Sequence, residues 1–105
     1  MIFVSAGTKD GRELAGYLLQ QGYKVTASVV SQYGEILLER YSGMHINCQA
    51  LDTDGFVTYF ARHGVKLFVD ASHPYAANVS INAMEACQRA KITYIRYERQ
   101  QTPLD

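Results

Sequence analysis

The chain has 105 residues, 48% of them hydrophobic and 19% charged, which is enough for one packed domain and no more. Ten basic residues balance ten acidic ones, so no basic field exists to drive non-specific nucleic-acid binding through counterion release. No apolar run approaches the roughly 18 residues of a bilayer span, and Met1-Ile2-Phe3-Val4-Ser5 lacks the basic leader of a signal peptide, so a cytoplasmic, non-membrane protein is expected.

Ile2 to Ala6 reads as a short buried strand that stops at Gly7. Asp10 to Gln21 has helical spacing, with Leu14, Ala15, Leu18 and Leu19 on one face and Gly22 as a stop. Lys24 to Val30 is β-branched and apolar and predicts a second strand. A shorter helix follows over Tyr33 to Tyr41, its apolar face carrying Ile36, Leu37 and Tyr41. Met44 to Cys48 alternates weakly and predicts a third strand. Thr53 is the expected N-cap of a helix holding Phe56, Val57, Tyr59 and Phe60 and closed by Gly64. Leu67 to Asp70 is the next strand, Pro74 to Ala90 the longest helix and Thr93 to Arg96 the last strand. Cys48 and Cys87 show no C-x-x-C spacing and are expected to be reduced core thiols. No metal-ligand pattern occurs. Most of the eight tyrosines are expected to be half-buried packing residues.

Strands and helices in strict alternation, joined by short connections, predict a parallel sheet with helices on both faces. Right-handed crossovers make this a Rossmann-like, doubly wound α/β fold of about five strands in the order 3-2-1-4-5. In that order the first and fourth strands meet where the winding reverses, and open α/β sheets bind ligands beyond the carboxyl ends of strands at such a point.

Two loops should therefore share one crevice. The first, Ala6-Gly7-Thr8-Lys9-Asp10-Gly11-Arg12, sits where a dinucleotide fold places its phosphate loop, with glycines for close backbone approach and a helix start directed at an anion. Its Gly-x-x-x-Gly spacing also suits a plain strand-to-helix turn, and Lys9 and Arg12 read either as phosphate ligands or as a solvated helix face. Beyond the second strand, Ala27-Ser28-Val29-Val30-Ser31-Gln32-Tyr33 carries no acid. An acid there would bind a ribose hydroxyl and repel a 2′-phosphate, whereas Ser28 and Ser31 donate hydrogen bonds to one, so the loop leans toward NADP over NAD.

The second loop is Asp70-Ala71-Ser72-His73-Pro74-Tyr75-Ala76. Proline suits the first helical position and holds the preceding residue extended, which places His73 at or beside the N-cap, with Ser72 as the competing cap and Tyr75 in the first turn. A neutral imidazole there would donate a hydrogen bond to a substrate carboxylate or to a developing charge. His73 equally reads as a capping residue with a surface ring, and Asp70 as the polar end of its strand rather than a catalytic acid. His45 and His63 carry no functional expectation. A Tyr-x-x-x-Lys pair, the mark of a different reductase or epimerase chemistry, is absent: Tyr17, Tyr33 and Tyr59 are followed four residues on by Gln21, Leu37 and His63.

The segments AGTKDGRELA (6–15), SVVSQYG (28–34), DASHPYA (70–76), NVSINAMEAC (78–87) and YIRYER (94–99) together resemble the N-terminal half of the precorrin-6A reductase family, which includes versions acting on the cobalt-containing intermediate. The resemblance implies an NADPH-dependent reduction of one double bond of a corrin-ring precursor in cobalamin biosynthesis, with a polycarboxylate tetrapyrrole as substrate. It places the cofactor's phosphates over Gly7, Thr8 and Gly11, with Arg12 beside them and Ser28 and Ser31 near the adenosine phosphate. His73 and Tyr75 become candidate catalytic residues, and Ser72, His73, Tyr75 and Arg99 candidate holders of substrate carboxylates. The family usually has Gly-Gly-Thr where this chain has Ala6-Gly7-Thr8, and its members continue into a second α/β domain beyond the point reached by Asp105. Residues 1–105 are thus expected to be the NADP-binding domain of a two-domain enzyme, inactive without its C-terminal half. The competing expectation is an NADP-binding or structural module without chemistry.

Overall fold

A computed structural model describes residues 1–73 and 76–98. Nine elements alternate along the chain: β1 (Ile2–Ser5), α1 (Lys9–Gln20), β2 (Val25–Ser28), α2 (Gln32–Glu39), β3 (His45–Asn47), α3 (Thr53–His63), β4 (Leu67–Asp70), α4 (Ala77–Ala90) and β5 (Thr93–Arg96). All four strand pairings are parallel, and the sheet runs β3-β2-β1-β4-β5, the order expected from the sequence.

The alternation of side chains along each strand divides the core in two. Phe3 and Phe68 point to the face covered by α3 and α4, where they meet Phe56, Phe60, Val65, Ala83, Ala86 and Cys87. Their rings stack with centroids 5.1 Å apart, and Tyr94 on β5 extends the stack at 5.7 Å from Phe68. Val4 and Val69 point to the other face and pack with Val25 and Ala27 against Ala15 of α1 and Leu38 of α2. Burying each of these large side chains contributes on the order of 1.5–3 kcal/mol, which is why strands of three or four residues suffice.

Register turns this alternation into layers across the sheet. One layer is Ile46-Ala27-Val4-Val69-Ile95; the next, at the carboxyl ends, is Asn47-Ser28-Ser5-Asp70-Arg96. Every strand therefore ends on a polar residue at the edge where the winding reverses.

Several boundaries differ from the sequence-based reading. Asp52, not Thr53, caps α3: its carboxylate accepts from Gly55 N–H at 2.7 Å. Helix α4 begins at Ala77 rather than Pro74, its N-cap Ala76 makes no side-chain capping bond, and so neither His73 nor Ser72 is a cap. On α2 the buried apolar residue is Leu38, one position beyond the expected face, while Ile36 is exposed. Cys87 is buried as expected, but Cys48 is exposed on the way out of the β3 edge strand. Tyr17, Tyr23, Tyr33 and Tyr97 are exposed rather than half-buried. Among the described residues no helix is long and apolar enough to cross a membrane.

Candidate functional site

The first loop and the start of the second are joined directly. Thr8 stands at the N-cap of α1 in extended backbone, and its hydroxyl oxygen accepts from Gly11 N–H at 3.0 Å. The same hydroxyl donates to the Ala71 carbonyl at 2.9 Å. One side chain therefore caps a helix and ties β1's exit to β4's exit. Gly11 completes the junction, because a Cβ there would sit 2.8 Å from Ala71 Cβ and 3.1 Å from Ala6 Cα. Only glycine lets α1 approach this closely.

Gly7 is different. It is exposed, and a Cβ built on it meets nothing within 4 Å. The backbone here borders open space beside the first turn of α1, in which the Gly11 and Arg12 N–H groups are taken by the Thr8 hydroxyl and carbonyl. Lys9 lies on the solvated side of α1, 3.9 Å from Glu13, a surface pair of little energetic weight. Arg12 is half-buried in the same turn.

The end of β2 carries the two serines. Ser28 Oγ accepts from Asn47 Nδ2 at 2.9 Å, and Ser31, the N-cap of α2, accepts from Gly34 N–H at 3.0 Å. Each hydroxyl thus uses an oxygen lone pair to shape the loop and keeps its proton as a hydrogen-bond donor.

On the β4 side the structure shows a carboxylate at the centre of the loop. Asp70 is fully buried. Its Oδ1 accepts from the Ser72 N–H (3.0 Å), the Ser72 hydroxyl and Arg96 Nη1 (3.0 Å); its Oδ2 accepts from Ser80 Oγ (2.6 Å) and the Tyr94 hydroxyl. Burial by itself would push the carboxyl up, but the hydrogen bonds from Ser72, Ser80 and Tyr94 outweigh it and hold Asp70 below its ordinary value. Burial, and then the neighbouring Asp70 carboxylate, push the Tyr94 phenol up to about 12. Arg96 also donates to the Ser72 carbonyl at 2.7 Å, while Glu98 accepts from its outer edge at 2.9 and 3.0 Å.

Ser72 therefore braces the loop from inside, buried and engaged by Asp70, rather than facing a ligand. His73 is exposed at the rim, ahead of α4 by three residues, and its carbonyl accepts from Ala76 N–H at 2.8 Å. Ser72, one of the two expected caps, is engaged by Asp70 instead, and α4 starts at Ala77. Tyr75 and Arg99 lie outside the described residues. Sequence reasoning missed the Asp70 cluster, although a signal existed. With β4 and β5 paired in parallel, Phe68-x-Asp70 and Tyr94-x-Arg96 fall opposite each other, ring to ring and acid to base.

The family described as "Precorrin-6x reductase CbiJ/CobK" matches residues 1–104. A cobalt-precorrin-6A reductase from Priestia megaterium is 42% identical over 99 residues, which cover 94% of this chain and 38% of that protein. A precorrin-6A reductase from Rhodobacter capsulatus is 31% identical over 102 residues, 93% of this chain and 38% of the relative. A solved structure, "CobK precorrin-6A reductase", superposes with a TM-score of 0.79 at 28% identity, over 99% of this chain and 39% of that one. The chain thus spans well under half the length of the relatives it matches. With the 3-2-1-4-5 sheet, the Thr8–Ala71 junction and a match across nearly its whole length, the chain belongs to the precorrin-6x reductase CbiJ/CobK family.

Proposed function

We propose that residues 1–105 form the NADP-binding domain of a reductase that uses NADPH to reduce a corrin-ring precursor, precorrin-6A or its cobalt form, in cobalamin biosynthesis. The observation that carries this reading is the open, unobstructed backbone at Gly7, next to the start of α1 at the sheet's reversal point, with the Thr8–Ala71 bond tying the two strand exits together. Exposed backbone beside a helix start suits a pyrophosphate. In this reading the cofactor's phosphates lie over Gly7 with Arg12 beside them, while Thr8 and Gly11, bonded to each other and packed on Ala71, shape the loop beneath. The Ser28 and Ser31 hydroxyl protons serve the 2′-phosphate, which no acid between residues 27 and 33 repels.

When bound, NADPH would supply the hydride. The chain's own residues position the two reactants. His73, exposed beyond β4, is proposed to donate a hydrogen bond to a substrate carboxylate, as are Tyr75 and Arg99. The second half present in longer relatives is the proposed partner that covers the crevice and excludes water, so the isolated chain is expected to bind cofactor without turning over.

Gly7→Ala tests the reading. Since a Cβ at Gly7 meets nothing in the protein, the variant should keep the parent's thermal midpoint within about 1–2 °C, while NADPH binding by calorimetry weakens at least tenfold. Equal NADPH affinity in parent and variant would show that the phosphates do not lie over Gly7. In a longer protein that joins this chain to a second part like that of its relatives, nicotinamide absorbance should fall when precorrin-6A is added. No change with authentic substrate would remove the reductase assignment.

A further inference from the structure

Asp70 is buried at the β1/β4 reversal point with five hydrogen bonds on its two oxygens, yet the catalytic reading above uses none of them. Its partners come from three parts of the chain, the loop at Ser72, helix α4 at Ser80 and strand β5 at Tyr94 and Arg96, while the carboxylate itself is on β4. Strand pairing already holds β4 to β5, so two donors from β5 are more than the sheet requires. What the extra bonds determine is the path of the chain after β4.

The Ser72 peptide shows how. Its N–H and its hydroxyl both donate to Asp70 Oδ1, and its carbonyl accepts from Arg96 Nη2 at 2.7 Å. All the polar groups of Ser72 are therefore fixed, the N–H and hydroxyl by Asp70 of β4 and the carbonyl by Arg96 of β5. Every peptide bond described is trans, so the carbonyl of Ser72 and the N–H of His73 point in opposite directions. With the carbonyl turned toward Arg96, the 72–73 peptide has one orientation, which fixes where the backbone of the exposed His73 begins. Ala71 is in turn held by Thr8 Oγ and by Ser5, whose carbonyl accepts the Ala71 N–H at 3.0 Å.

We propose that Asp70, acting with Tyr94, Ser80 and Arg96, is the positioning residue of this site: the carboxylate clamps Ser72 and thereby sets the backbone that presents His73 to the substrate. The proposal rests on the proposed function for its catalytic consequence, but not for the clamp itself. Arg96 borders the loop, and its guanidinium is occupied by Asp70, Ser72 and Glu98. It supports the wall rather than binding a carboxylate of the substrate.

Tyr94→Phe and Ser80→Ala each delete one hydroxyl donor to Asp70 Oδ2 and leave the charge pair with Arg96 intact, so both should fold. Amide hydrogen exchange by NMR reads the clamp without any ligand. Exchange at Ser72 and His73 should accelerate at least tenfold in either variant, while Val4 and Val69 in the central strands exchange as in the parent. Ser80→Thr, which keeps a hydroxyl, should restore the parent rate at Ser72. In the longer protein, the same two deletions should lower kcat three- to tenfold and leave KM for NADPH within twofold, and Ser80→Thr should recover kcat. Unchanged exchange at Ser72 in both deletions, or a uniform acceleration that includes Val4 and Val69, would overturn the clamp. Accelerated exchange with parental kcat would overturn the positioning role. An inactive parent would instead strike the proposed function, leaving the exchange result to decide the clamp.

Discussion

Gly7 and Gly11 belong to one loop, but the space around their absent side chains differs, and that difference separates a ligand position from a packing position. Gly11 would bring a Cβ to 2.8 Å from Ala71 Cβ, with backbone of Ala6 and Ala71 close behind, and none of these is a flexible chain end that can move aside. Alanine in a helix normally gains up to about 1 kcal/mol over glycine, whereas overpacking of this kind costs typically about 1–3 kcal/mol. The second effect wins. Gly11→Ala should therefore lower stability by about 1–2 kcal/mol in urea unfolding, against no measurable loss for Gly7→Ala. Stabilisation by Gly11→Ala would mean that the helix start and the Ala71 turn are less tightly apposed than the structure shows. From sequence, the two glycines were legible as a loop that needs small residues. Which of them faces solvent and which faces protein depends on the β4 exit, 60 residues away, and no local pattern carries that information.

At the scale of elements, Thr8 does for the first loop what Asp70 does for the second. The residue was read from sequence as a phosphate neighbour, yet its hydroxyl is engaged twice, accepting from Gly11 N–H and donating to the Ala71 carbonyl. Loss of an N-cap side chain costs about 0.5–2 kcal/mol, and an unsatisfied partly buried carbonyl adds to that. Thr8→Ala should lose about 1.5–3 kcal/mol, and Thr8→Ser, which retains both bonds, less than about 1 kcal/mol. Chemical denaturation of the three proteins checks this ordering, and equal loss in both variants would mean that the methyl group rather than the hydroxyl matters. Element existence and strand order were legible because apolar periodicity and short connections are local signals that the tertiary fold does not contradict. The start of α4 was not legible. The described helix starts at Ala77, and the residue weighed as a competing cap, Ser72, instead bonds a buried carboxylate that also takes Ser80 within the helix. On α2, the expected face was one residue out of phase because a helix of only two turns gives periodicity little to lock onto.

For the molecule as a whole, the polar layer at the carboxyl edge couples the fold to pH at both ends of the scale. Asp70 is held below its ordinary value, so the folded protein binds its proton more weakly than the unfolded chain does. Its contribution is present above the unfolded value of about 4 and is lost as pH falls through the lower folded value. Tyr94 is shifted the other way, to about 12. Its contribution is complete below the unfolded value of about 10 and is lost as pH rises toward 12, because the phenolate cannot donate to Asp70 and repels it. For a half-buried phenol the corresponding loss is on the order of 1–2 kcal/mol. Tyr94→Phe isolates the alkaline arm. The parent should be more stable than the variant from pH 6 to 9, and the gap in urea midpoint should close between pH 10 and 12, while other tyrosines and lysines titrate equally in both proteins and cancel. Asp70→Asn isolates the acid arm: the variant should be the less stable at neutral pH, and its disadvantage should shrink below pH 4 as the parent's carboxylate takes up its proton. A gap that stayed constant through pH 10 to 12 would show that Tyr94 does not donate to Asp70 in solution, and the β5 side of the clamp would then rest on Arg96 alone.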